Sequence, residues 1–156
     1  MGIELDEVDK AIVHSLQQDA RHNTATDIAE DVDVTANTVR NRIRRLEEEG
    51  VIAGYLPIID YEQTAKAMHM VVQCTVPIDE RGDYAKTALE IRGVVGVREV
   101  MTGHRNLRID LVAEDTDEIT AAVSRLQKQG MDVEEQELLK AEHLQPFDHF
   151  ASESGS

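Results

Sequence analysis

The chain has 156 residues, with 31 Asp and Glu against 16 Lys and Arg, and a formal net charge of −15. It contains no apolar run of about 18 residues and no charged-then-apolar leader, so the sequence predicts neither a helical membrane span nor a secretion signal. The single Cys74 rules out an internal disulfide and fits a reducing cytoplasm. With three Tyr, two Phe and no Trp, two small cores would each be marginal, so oligomerisation is expected.

In chain order, residues 5–18 read as a first helix. Asp6 is its cap, Asp9 stands three residues on as in a capping box, and Leu5, Val8, Ile12 and Leu16 share one face. After a polar connector, Thr24 or Thr26 opens a short helix with Ile28, Ala29 and Val32 facing inward. Asp33 and Val34 make the turn into Thr35, an N-cap for the stretch TANTVRNRIRRL. That dodecamer holds Arg40, Arg42, Arg44 and Arg45, a quarter of the positive charge, and no carboxylate.

Val39, Ile43 and Leu46 fall at i, i+4 and i+7 and form an anchoring stripe. The opposite side carries Asn37, Arg40, Asn41 and Arg44, with Thr38 and Arg45 beside them. Arginine and asparagine are the side chains whose donors and acceptors match guanine and adenine edges in the major groove. Thr35 leaves a helix N-terminus that can approach a phosphate. Thr35, Asn37, Thr38, Arg40, Asn41, Arg44 and Arg45 are therefore the candidate DNA-binding residues, and Arg42 points toward a neighbouring helix or a phosphate. Two helices joined by a short turn, the second basic, make a helix-turn-helix. The helix stops at Gly50, and 51–61 (VIAGYLPIIDY) reads as a wing-like strand leading out of the domain.

Residues 62–66 are a polar linker, after which the hydrophobic period changes. Met68, Met70, Val72, Cys74 and Val76 alternate with His69, Val71, Gln73 and Thr75, which predicts a strand. A helix follows over 83–92, a strand over 97–102, a tight hairpin at 103–105, and a return strand with Leu107, Ile109, Leu111 and Ala113 on one face. Residues 116–129 are a helix with Ile119, Ala122, Val123 and Leu126 inward, and 133–144 are a charged last strand. The predicted class is α+β: a winged helix-turn-helix over 1–61, then a ferredoxin-like βαββαβ domain over 67–144, with a flexible tail at 145–156.

This order resembles the Lrp/AsnC family, the feast/famine transcriptional regulators. The stretches that carry the likeness are LDEVDKAIVHSLQQDAR, TVRNRIRRLEEEGVIAGY and MTGHRNL. The resemblance implies a sequence-specific regulator of double-stranded DNA whose second domain pairs through its sheet into homodimers, with tetramers or octamers built from them. It also implies an amino-acid or other small-molecule effector near the Thr-Gly turn, here Thr102, Gly103, His104, Arg105 and Asn106. Two positions depart from the family pattern. Asp33 stands where the turn usually has Gly, and Asn106 where an acidic residue is frequent, so a carboxylate suited to an ammonium group is missing. Dispersed acidity with 11 Arg and five Lys resembles the proteins of halophilic archaea.

An enzyme is not expected: no nucleophile–base arrangement, phosphate loop, metal spacing or cofactor motif stands out. Sirohaem decarboxylases share the architecture, and GHRNLRIDL is faintly similar to their histidine and arginine hairpin, but their longer histidine- and aromatic-rich run is absent. An assembly partner that does not bind DNA is the other alternative, against which the arginine face argues. Cys74 reads as a small buried hydrophobe, and His69 as a residue of the opposite strand face.

Overall fold

The computed structural model describes residues 2–66 and 68–151. The chain divides into two compact units, one running to Pro57 and resuming at His143, the other Ile58–Glu142. Residues 152–156 of the expected tail, and Ala67 at the start of the expected second domain, lie outside the described residues.

The first unit contains α1 (Glu7–Asp19), α2 (Ala25–Val32) and α3 (Ala36–Glu48). Both capping boxes form: Asp6 with Asp9 at α1 and Thr24 with Asp27 at α2, so Thr24 is the cap and Thr26 is not. Asp33 adopts the left-handed conformation at φ 54°, donating its N–H to the Ala29 carbonyl, and takes the glycine-like place in the turn. Gly50, at φ +74°, ends α3. Ile12, Val13, Ile28, Ala29, Val39 and Leu46 form the buried core.

Two expectations for this unit are corrected. Residues 51–60 pair with no strand among the described residues, although Ile52 packs on the helical core. Beyond it, Leu56 and Ile58 are 92% and 76% exposed, because an extended segment without a neighbouring strand leaves both its ladder and its apolar side chains open. Nor is the chain after Leu144 loose up to residue 151. A short 3₁₀ turn, Asp148–Phe150, lies against α1: Phe150 packs on the helical core, and the Phe147 N–H donates to Gln17 Oε1 at 3.3 Å. The chain's only two phenylalanines meet edge to face there, with centroids 4.8 Å apart.

The second unit is a four-stranded antiparallel sheet in the order β2-β3-β1-β4, the ferredoxin-like order. The strands are β1 (Met68–Thr75), β2 (Val94–Glu99), β3 (Leu107–Ala113) and β4 (Asp132–Leu138), with α4 (Arg81–Leu89) and α5 (Thr116–Lys128) between them. Val72, Cys74, Leu107, Ile109 and Leu111 share one core with Ala88, Ile119, Ala122, Val123 and Leu126. By the strand period the other sheet face carries His69, Gln73, Arg98, Arg108, Asp110 and Glu135. Burial pushes the Cys74 thiol up to about 12, with the charges of Asp132 and Glu134 adding to it, so it is an inert core group.

Several boundaries move. α4 ends at Leu89, short of the expected 92, and β2 starts at Val94, where Gly93 at φ +94° turns the chain and its carbonyl accepts from the Val112 N–H at 2.8 Å. The tight hairpin at 103–105 is instead a loop over 100–106, closed by the Val100 N–H on the Asn106 carbonyl at 2.9 Å. β4 stops at Leu138 because Leu138 lies opposite Met70, and little of β1 remains beyond that point to pair with.

Candidate nucleic-acid interface

α3 is amphipathic in charge as well as hydropathy. Val39 and Leu46 are fully buried and Ile43 is partly so, while Asn37, Arg40, Asn41 and Arg44 are exposed on the outer side. None of those four side chains has a hydrogen-bonded or ionic partner among the described residues. Their donors and acceptors are therefore available to an incoming molecule. The N-cap hydroxyl of Thr35 accepts from the Thr38 N–H at 3.1 Å and lies 2.8 Å from the Thr38 hydroxyl, which fixes the entry of the helix.

The inner flank is held differently. Asp9 of α1 is wholly buried, and its carboxylate takes Arg42 Nη1 on Oδ1 at 3.1 Å and Arg45 Nη2 on Oδ2. Arg42 also reaches Asp6, whose carboxyl is held below the usual carboxylate range by the Asp9 N–H and then by that guanidinium. Hydrogen bonds to Asp6 and then Asp9 raise the Arg42 guanidinium in turn. A buried carboxylate between two cations is costly to leave unpaired, so this cluster sets the rotation of α3 against α1. Arg42 does what its position on the core flank implies. Arg45 does not behave as a free reading residue: one of its nitrogens is tied to Asp9, although its side chain stays 46% exposed. Asp9 itself was legible only as a capping residue, and no local signal shows a carboxylate of α1 reaching two arginines more than 30 positions away.

The turn between β2 and β3 is closed upon itself. The Asn106 amide is fully buried: Oδ1 accepts from the Val76 N–H at 2.9 Å, and Nδ2 donates to the Val76 carbonyl at 2.8 Å. It is a clamp on the end of β1, out of reach of a ligand, which corrects its assignment to the effector-facing set. Arg105, at φ +49°, donates its N–H to Thr75 Oγ1 at 2.8 Å and pairs with Glu134 and Glu135 at 3.3 and 2.6 Å. His104 Nδ1 lies 3.1 Å from Glu134, and the Thr102 hydroxyl donates to the His104 carbonyl at 2.7 Å. Gly103 is exposed. No group of three or more His, Cys, Asp or Glu side chains among the described residues could hold a metal ion.

Comparison with known proteins identifies the family. Residues 5–53 match the family described as winged helix-turn-helix DNA-binding. The leucine-responsive regulatory protein of Rhizobium meliloti is 32% identical over 117 residues, covering 72% of this chain and 73% of that protein. The chain belongs to the Lrp/AsnC family. It is a DNA-binding transcriptional regulator. An HTH-type transcriptional regulator of Pyrococcus abyssi is 29% identical over 126 residues, 80% of this chain and 81% of that one, so archaeal members are among its relatives. The crystal structure of MtbAldR superposes with a TM-score of 0.73 at 27% identity, covering 90% of this chain and 97% of that one. Bacillus subtilis LrpC shares the fold, with a TM-score of 0.72 at 16% identity over 90% and 98%. In this Lrp/AsnC member no helix among the described residues is long and apolar enough to cross a membrane.

Proposed function

We propose that Asn37, Thr38, Arg40, Asn41 and Arg44 read base edges in the major groove, while the Thr35 end of α3 approaches the backbone. The observation that carries this reading is the division of α3. Its arginines on the α1 side are tied to Asp9, and those on the outer side are exposed and unpartnered among the described residues. Arg45 is then a positioning residue that can also reach a phosphate with its exposed nitrogens. Each bidentate base contact contributes about 1–3 kcal/mol of discrimination, so two per subunit suffice once a dimer doubles them.

The same reading assigns residues 1–61 to DNA binding, 62–66 to the linker and 67–144 to effector response and pairing into a homodimer or a larger assembly. A small-molecule effector is supported by the name of the leucine-responsive relative. The closed turn at 102–106 leaves fewer groups for it than the sequence implied. Cytoplasmic residence is supported by the DNA-binding role, and the acidic, lysine-poor composition supports a halophilic archaeal source.

The test is selection of bound duplexes from a random pool in molar potassium chloride. A palindromic motif is expected, its half-sites about one helical turn apart. Recovery of no motif would overturn the reading.

A further inference from the structure

A cleft in the second unit has chemistry that the reading above leaves unused. It holds about 400 Å³ and lies beside α5, between Tyr61, the start of β2 and the end of β3. Ala121 and Ala122 of α5 line it, and so does Gly93, where an added Cβ would meet Leu111 Cδ1 at 2.9 Å and the Val112 carbonyl oxygen at 3.0 Å.

Its charge runs against the chain. Lys66, Arg92 and Arg125 line it with one carboxylate, Glu118, which makes a local +2 in a chain of −15. Glu118 is already engaged. It accepts from Lys66 Nζ at 3.1 Å and from the Glu114 N–H at 2.9 Å, and those two contacts, the N–H first, hold its carboxyl below the usual range. Lys66 is likewise satisfied by Glu114 and Glu118. Arg92 and Arg125 make no ion pair within 4 Å among the described residues, although the Arg92 charge also lowers the Glu118 carboxyl from nearby. Leaving two guanidiniums unpaired at one cleft, in a chain with 31 carboxylates, parallels the outer face of α3.

We infer that this cleft binds a small organic carboxylate with an aliphatic body and no ammonium group. The planar guanidinium forks of Arg92 and Arg125 match a carboxylate head. Leu111, Val112 and the alanines meet the aliphatic body, and a cleft of this size suits a ligand of several carbons. An amino acid of the same skeleton is disfavoured, because its ammonium would face three cations with the only carboxylate already holding Lys66. That such a ligand acts as the effector rests on the regulator reading above; its binding does not.

Calorimetric titration of the full-length protein, with no DNA present, separates the two. The probes are 4-methyl-2-oxopentanoate, leucine with the same carbon skeleton, and inorganic phosphate. The oxo acid is expected to bind at least tenfold more tightly than either of the others. Arg92→Gln combined with Arg125→Gln should abolish that binding, as should Ala121→Trp, which fills the cleft while leaving both arginines. Each variant should melt within a few degrees of the wild type, which shows that the fold is intact. Leucine binding as tightly as the oxo acid would overturn the inference, as would phosphate binding as tightly, an unaffected double variant, or no binding at all.

Discussion

Replacing Asp9 by Asn keeps the shape of the side chain and removes the charge that holds α3 to α1. The wild-type carboxylate is 1% exposed and bonds two guanidiniums, Arg42 at 31% exposure and Arg45 at 46%. Hydrogen bonds to a charged group each contribute about 1.5–3 kcal/mol. The arginines are partly in water and recover some hydration when released, so the lower end applies, and the loss is about 2–4 kcal/mol. For a unit of this size one kcal/mol shifts the midpoint by about 4–8 °C, so the helical unit should melt some 10–25 °C lower. Thermal unfolding followed by circular dichroism at 222 nm measures it, with Asp9→Asn compared against Arg44→Ala, which removes an exposed side chain with no hydrogen-bonded or ionic partner among the described residues. A midpoint for Asp9→Asn within a few degrees of wild type would refute the view that this cluster fixes the recognition helix. So would an equal loss from Arg44→Ala.

Asn106→Leu should destabilise the second unit by about 2–5 kcal/mol, because the Val76 N–H and carbonyl lose their partners inside a buried turn; urea unfolding reads the loss directly. Phe150→Ala removes a half-buried ring from the helical core and should lower the stability of the first unit by about 1–2 kcal/mol, less than the cost of truncating a fully buried Phe. An unchanged urea midpoint would show that the C-terminal turn does not hold α1. Asp27 has its carboxyl lowered from 3.8 in the folded state by the Thr24 hydroxyl and N–H. A depressed folded value stabilises the protein above the unfolded pKa, and that contribution is lost as pH falls through the folded one. Asp27→Asn should therefore destabilise the first unit at neutral pH and make little difference well below pH 3.8, as melting curves at the two pH values would show.

Elements that depend on neighbouring residues were legible in the sequence. The caps at Asp6 and Thr35 are i to i+3 hydrogen bonds and read directly; Thr24 makes the same bond but stood beside Thr26 as an equal candidate, and the glycine-like place of Asp33 was implied by the family resemblance. The outer face of α3 follows from period alone. What was not legible depends on residues distant in the chain. Arg45 and Arg44 are adjacent and chemically identical, and only the position of Asp9, 36 residues earlier, separates an anchored arginine from a free one. Asn106 has the composition of a ligand-facing turn residue until the backbone of Val76, 30 residues away, is seen to take both ends of its amide. The stretch 51–60 is β-branched and apolar, as a strand should be, but a strand also needs a partner. The tail has the polar, proline-containing look of a loose end, yet its two phenylalanines supply aromatic rings to a helical unit that has none in its buried core.

The central claim is that the outer face of α3 recognises DNA. Its most direct test is fluorescence anisotropy on a duplex recovered by selection, comparing wild type, Arg40→Ala with Arg44→Ala, and a scrambled duplex. The account predicts that the double variant keeps the wild-type melting midpoint and binds the selected and scrambled duplexes equally weakly. Retention of wild-type preference by a folded double variant would contradict it.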